Sequence, residues 1–99
     1  MLVRVIAKRM LREFWERYPD AEGALRAWHA AVEAATWRNP AEVKAMYGNA
    51  SIVGSNRVVF NICGNKYRLV VRFNYAWQVA YTRFVGTHAQ YDKIDVEEV

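Results

Sequence analysis

The pattern of apolar and polar positions changes period along the chain, and each period predicts an element. Leu2 to Ile6 is short, β-branched and bounded by polar residues, which predicts a first strand. From Ala7 the spacing becomes helical: Met10, Leu11, Phe14, Trp15 and Tyr18 fall on one stripe, with Lys8, Arg9, Arg12, Glu13, Glu16 and Arg17 on the remaining surface. Pro19 stops that helix, and Asp20 is placed to cap a second one. There Ala21, Ala24, Leu25, Trp28, Ala31, Val32 and Ala35 form an apolar stripe, Glu22 and Arg26 pair one turn apart, and His29 is expected in solvent. Residues 7–37 thus read as an antiparallel helical hairpin. Asn39-Pro40-Ala41-Glu42 supplies a cap, a proline at the first helical position and a carboxylate at the third, starting a short helix that runs to Tyr47 and ends at Gly48. Residues 48–56 read as a loop with a short extended piece at Ser51 to Val53.

From Arg57 the period becomes two. If Gly64-Asn65 is a two-residue hairpin turn, Cys63 faces Lys66, Asn61 faces Arg68, Val59 faces Val70 and Arg57 faces Arg72, all on one side of the sheet. The other side receives Val58, Phe60, Ile62, Tyr67, Leu69, Val71 and Phe73 and is wholly apolar, so it packs on the helices. A third strand, Trp77 to Phe84, follows a turn at Asn74-Tyr75. A two- or four-residue loop there sets Trp77, Val79, Tyr81 and Arg83 on the face of Lys66, Arg68 and Arg72; a three-residue loop would bury Arg83 without a partner. The expected fold class is α+β. An N-terminal strand and helical hairpin cover one face of a small antiparallel sheet, in the order β-α-α-(α)-β-β-β with a short C-terminal turn or helix.

Length and charge narrow the possibilities. Ninety-nine residues, 54% hydrophobic, suit one domain with one core. The single cysteine, Cys63, and two histidines supply no disulfide framework and no zinc set, so neither metal nor cofactor is expected, and a reducing cytoplasmic setting fits. The first ten residues hold too short an apolar run for a leader or a span. Residues 92–99 carry four acids and one lysine, net −3; with +4 for the chain, residues 1–91 are net +7. A basic body favours a polyanionic partner, nucleic acid before acidic protein, over a surface that serves solubility alone. The acidic tail itself is expected to be solvated.

The run Val59 to Val70 (VFNICGNKYRLV), with Tyr81-Thr82-Arg83-Phe84 and Gly86 to Ile94 (GTHAQYDKI), resembles the HigB-type toxins of bacterial toxin-antitoxin pairs. The likeness extends through the helices and Trp37 to Glu42. It implies a RelE-like fold and an endoribonuclease that cuts messenger RNA, typically on the translating ribosome, neutralised by a cognate helix-turn-helix antitoxin (HigA-like). Carried to matching positions, the family's basic strand residues are Lys66, Arg68 and Arg83, and its C-terminal polar cluster is His88 and Tyr91.

The residues support such chemistry by themselves. Cleaving RNA without a metal needs a base for the 2′-hydroxyl, positive charge on the phosphate and an acid for the departing 5′-oxygen. Arg68 and Arg83 offer rigid guanidinium forks to phosphate oxygens. His88 is the residue near the end of the meander whose type exchanges protons near neutrality. Tyr91 follows three residues later, on the same side if Thr87 caps a helical turn, and Lys66 suits an acid-base role if its neighbours depress its pKa. Arg57, Asn61, Arg72, Tyr81 and Trp77 are expected to contact RNA, Arg57 and Arg72 by phosphate attraction and Trp77 by base stacking. Each has a plainer reading: a lone histidine is more often a hydrogen-bonded structural residue, Tyr91 can simply pack the C-terminal turn, and Trp77 can pack over Arg72. Trp15, Trp28 and Trp37 read as core or antitoxin-contact residues. A non-catalytic RNA-binding module and a gyrase-poisoning toxin on the same fold are the alternative functions.

Overall fold

A computed structural model describes all 99 residues. The elements are β1 (Arg4–Ile6), α1 (Lys8–Arg17), a 3-10 turn (Pro19–Ala21), α2 (Glu22–Glu33), α3 (Pro40–Met46), β2 (Ser51–Val53), β3 (Arg57–Ile62), β4 (Tyr67–Asn74), β5 (Val79–Thr87) and α4 (His88–Tyr91). The α+β class stands. The sheet has five strands in the order β1-β5-β4-β3-β2, and β1 lies parallel to β5. The sheet is therefore mixed where an antiparallel one was expected. The first strand can only return beside the last because the whole helical hairpin intervenes between them. No helix is long and apolar enough to cross a membrane.

The inner face of the sheet is the predicted one. Val58, Phe60, Ile62, Tyr67, Leu69, Val71 and Phe73 join Leu11, Phe14, Leu25, Trp28 and Val32 in one core cluster. Phe60 is its aromatic hub, with Trp28, Tyr47 and Phe73 at ring-centroid distances of 5.4, 5.2 and 6.3 Å. Trp28 and Trp37 are core residues, while Trp15 is half-buried with the Arg26 guanidinium 4.8 Å over its ring. Asn39 caps α3 as its sequence predicts, its side chain accepting from the Glu42 N–H, and Glu42 in turn accepts from the Arg38 N–H at 2.8 Å.

The free edge of β1 is closed by the end of α2. Val3 N–H donates to the Ala35 carbonyl at 2.9 Å, and Val5 N–H to Glu33 Oε2 at 3.3 Å, which satisfies an edge that would otherwise pair with another chain. Burial works to raise the pKa of Glu33, but this N–H, with His29 and Lys8 beside it, outweighs burial and lowers it. His29, expected in solvent, is half-buried, with Nε2 3.2 Å from Glu33 Oε1. The helical hairpin also ends earlier than its pattern suggested: α2 stops at Glu33, and the Trp37 main chain is held by the buried Gln78, whose Oε1 accepts the Trp37 N–H at 2.9 Å.

Asp20 does not cap α2. Its Oδ1 accepts the Tyr67 hydroxyl at 2.6 Å, its other oxygen pairs with Lys66, and its carbonyl accepts from Cys63 Sγ, so the turn between the helices is tied to the β3–β4 turn. The hydrogen bond from Lys66 and then that from Tyr67 hold the Asp20 carboxyl below its ordinary value of 3.8. A carboxyl depressed in this way stabilises the fold above its unfolded pKa, and that contribution disappears as pH falls through the lower folded value. Asp20→Asn is expected to flatten the dependence of the urea midpoint on pH between about pH 5 and pH 2. Parallel curves for variant and parent would show that Asp20 does not bind the two turns together.

Candidate active site

The outer face of the sheet is built by strand alternation and one irregularity. The β3–β4 register is the predicted one, pairing Arg57 with Arg72, Val59 with Val70 and Asn61 with Arg68. At the turn, the left-handed residues are Cys63 and Gly64, where a primed turn would place them at Gly64 and Asn65. Asn65 instead accepts the Arg68 guanidinium through its carbonyl at 3.1 Å and its Oδ1 at 2.9 Å.

Between β4 and β5 the ladder pairs Asn74 with Val79, leaving a four-residue loop, and Arg72 with Tyr81. This is one of the loop lengths that keep Arg83 out of the core. The ladder then shifts: Val71 faces Thr82 but Val70 faces Phe84, so Arg83 is the extra residue of a bulge. A bulge lets two successive side chains leave the same face. Arg83 is exposed, Phe84 is half-buried beside Tyr91 with ring centroids 6.5 Å apart, and β5 resumes its alternation at Val85, which packs on the core. Gly86 allows the close approach here: a Cβ would lie 2.6 Å from Phe84 Cζ and 2.8 Å from Gln90 Oε1, so either side chain would have to move from its place beside α4.

Thr87 caps α4 as expected, in a capping box with Gln90. It sets His88 at the end of β5, where Thr87 pairs with Tyr67 at the start of β4. The exposed imidazole meets Asp92 one turn on, Nδ1 to Oδ2 at 3.2 Å. Asp92 belongs to the GTHAQYDKI run that carries the family resemblance but was assigned no role of its own, although its i,i+4 spacing to His88 was a legible signal. A carboxylate on Nδ1 fixes the ring and leaves Nε2 to face a substrate.

The predicted site residues therefore separate into two groups along the face. Arg68, His88 and Tyr91 gather at the β3–β4 turn end. Lys66 is there too, but its salt bridge to Asp20 raises its pKa. The depression that an acid-base role needs does not occur; Lys66 remains a positive charge. At the other end a cleft of about 500 Å³ is lined by Arg72, Tyr81 and Arg83 with Asn56, Asn74, Tyr75 and neighbouring backbone. Tyr75, stacked on Phe73 with centroids 5.5 Å apart, has its pKa raised by burial.

Three expected RNA contacts are placed otherwise. Arg57 is 8% exposed, and its guanidinium donates to the main-chain oxygens of Val99 and Ser55, each at 3.1 Å, so it is no free phosphate ligand. Only the main-chain oxygen of Val99 reaches back to it; the acidic side chains of Asp95, Glu97 and Glu98 stay exposed, as expected of a solvated tail. Asn61 is half-buried, its amide directed at the Asn49 carbonyl at 3.4 Å. Trp77 is 70% exposed but belongs to the β4–β5 loop rather than to the strand, near Met1, Leu2 and Arg4.

Comparison with known proteins agrees with this architecture. Residues 21–94 match the family model for the HigB toxin, the RelE-like toxic component of a toxin-antitoxin system. The mRNA interferase toxin HigB of Escherichia coli (strain K12) is 27% identical over 92 residues, covering 91% of this chain and 88% of the relative. The mRNA interferases HigB of Escherichia coli O157:H7 and Shigella flexneri match to the same extent. The family match spans most of the chain, from the start of α2 to the turn after α4, and includes both ends of the basic face. This chain belongs to the HigB family of RelE-like toxins.

Proposed function

We propose that the protein is a metal-independent endoribonuclease that cuts messenger RNA, acting as a single domain and as the toxin of a toxin-antitoxin pair. The observation that carries this reading is the outer sheet face: Arg68, Arg72 and Arg83 lie along it, and it ends at the His88–Asp92 pair. The mRNA interferases among its relatives support the same activity. RNA is cut by attack of the 2′-oxygen on the adjacent phosphorus as the 5′-oxygen leaves. His88 exchanges the proton, with Asp92 orienting its ring. Tyr91 stands beside it as the second proton-transfer group. The guanidiniums of Arg83 and Arg68 take up the charge that grows on the phosphoryl oxygens, and the Lys66 ammonium adds to the field.

The substrate is met on the translating ribosome in the cytoplasm, and a HigA-like helix-turn-helix antitoxin of acidic or apolar contact surface covers the basic face to neutralise it. Expression of the isolated chain should arrest growth and yield new RNA 5′ ends that carry hydroxyl groups, as 2′-attack requires. His88→Ala should abolish those ends without unfolding the protein, and Asp92→Asn should reduce them less. Salt-sensitive RNA binding with intact RNA would make the protein a binding module instead, and DNA damage without RNA cutting would make it a gyrase poison.

A further inference from the structure

The basic residues of the outer face are not equally free. Lys66 is bound to Asp20, Arg68 to Asn65 and Arg57 to the Val99 and Ser55 oxygens. Arg72 and Arg83 are exposed and have no intramolecular hydrogen-bond or ion-pair partner, and both line the same cleft. No carboxylate lines it, so nothing in the protein neutralises the pair. Tyr81 lies between them, opposite Arg72 in the ladder and two residues before Arg83. Asn56 closes the rim in a left-handed conformation (φ 60°); its carbonyl accepts the Phe73 N–H at 2.9 Å, and its side-chain amide makes no hydrogen bond within the protein. The neighbouring Asn74 has its Oδ1 occupied by the Trp77 N–H at 3.0 Å.

We infer that this cleft holds one unpaired nucleotide of the RNA next to the scissile bond. Its two flanking phosphates rest on Arg83 and Arg72, its base stacks on Tyr81 and its base edge meets the Asn56 amide. The inference rests on the ribonuclease reading and adds a subsite to it. Arg72 and Arg83 are offset by two strand positions, about 7 Å, a span that one extended nucleotide bridges. Arg68 is four positions from Arg72, about 13 Å along the strand, so the cleft is a neighbouring subsite and not a second view of the His88 end. Guanidinium forks with an interleaved aromatic ring are the chemistry that holds single-stranded RNA, because a splayed base offers its face and its edge together. An amide able both to donate and to accept can discriminate base edges, which makes Asn56 a specificity-determining residue.

The test uses the full chain and a fluorescent single-stranded oligoribonucleotide whose 2′-oxygens are methylated, so that it binds without being cut. Arg72→Ala and Tyr81→Ala should each weaken binding about tenfold or more, and Tyr81→Phe should restore it, since the stacking face is retained. On cleavable RNA, Asn56→Ala should change the base distribution at one position beside the cut. Unchanged affinity in both alanine variants overturns the proposal. RNA that is cut normally by those variants, with unaltered affinity and base preference, removes the subsite and leaves the ribonuclease reading standing. Binding lost in the variants of a protein that never cuts RNA removes the ribonuclease reading and leaves the subsite. Variants that lose affinity for the antitoxin but keep RNA affinity make the cleft a protein-contact surface, and the proposal fails.

Discussion

Arg83→Ala is expected to lower the rate of RNA cleavage by about 10²–10³-fold, the usual effect of removing one preorganised donor from a developing oxyanion. The protein should remain folded, because the side chain is exposed and no other residue depends on it. Without the register shift between Val70 and Val71, Arg83 would still reach the outer face, but Phe84 would turn inward and lose its place beside Tyr91. The bulge thus brings the aromatic that supports α4 onto the face that already carries the unpaired guanidinium. Arg83→Lys tests geometry against charge: a lysine keeps the charge and loses the fork, so it should recover only part of the activity. Single-turnover cleavage of a defined RNA, with urea denaturation as the control for folding, measures both. A variant that cuts at the parental rate would remove Arg83 from the chemistry.

Phe60→Ala is expected to destabilise the fold by about 3–5 kcal/mol, as for large-to-small aromatic changes in well-packed cores. Phe60 is 1% exposed and stands edge-on to Trp28, Tyr47 and Phe73, rings carried by α2, the end of α3 and β4. Those elements cannot close over the vacated volume without breaking the other aromatic contacts, so the cavity term adds to the lost transfer energy. Domains of this size have about 5–15 kcal/mol in total, so the variant should unfold at much lower urea and show reduced toxicity through loss of folded protein. A shift below about 1.5 kcal/mol, the range of well-tolerated core swaps, would mean that the aromatic cluster repacks. The two variants separate cleanly: one loses chemistry in a sound fold, the other loses the fold with its chemistry intact.

Much of the architecture was legible because its signals are local. The β3–β4 register follows from a period-two pattern with one buried face, where a slip of one residue would expose Phe60, Leu69 and Val71. The outward placement of Arg83 followed from the cost of burying a lone charge, and the α3 and α4 caps from residues three apart in sequence. The family resemblance rests on the same stretch, and the match over residues 21–94 bears it out.

What the sequence by itself determined, then, is which residues face the helices, which face outward, and that the outer set is basic. Only the tertiary structure decided which of those cations are free. Asp20 has the local grammar of a helix cap, yet it binds Lys66 and Tyr67 from 46 and 47 residues away; Arg57 has the pattern of an outward phosphate ligand, yet Val99, 42 residues on, occupies it. The parallel return of β1, the bulge at Arg83 and the Arg72–Tyr81–Arg83 cleft share this origin. Side-chain periodicity reports direction relative to a single strand or helix, whereas the partner of a charge is set by whichever distant segment the packed core brings within hydrogen-bond reach.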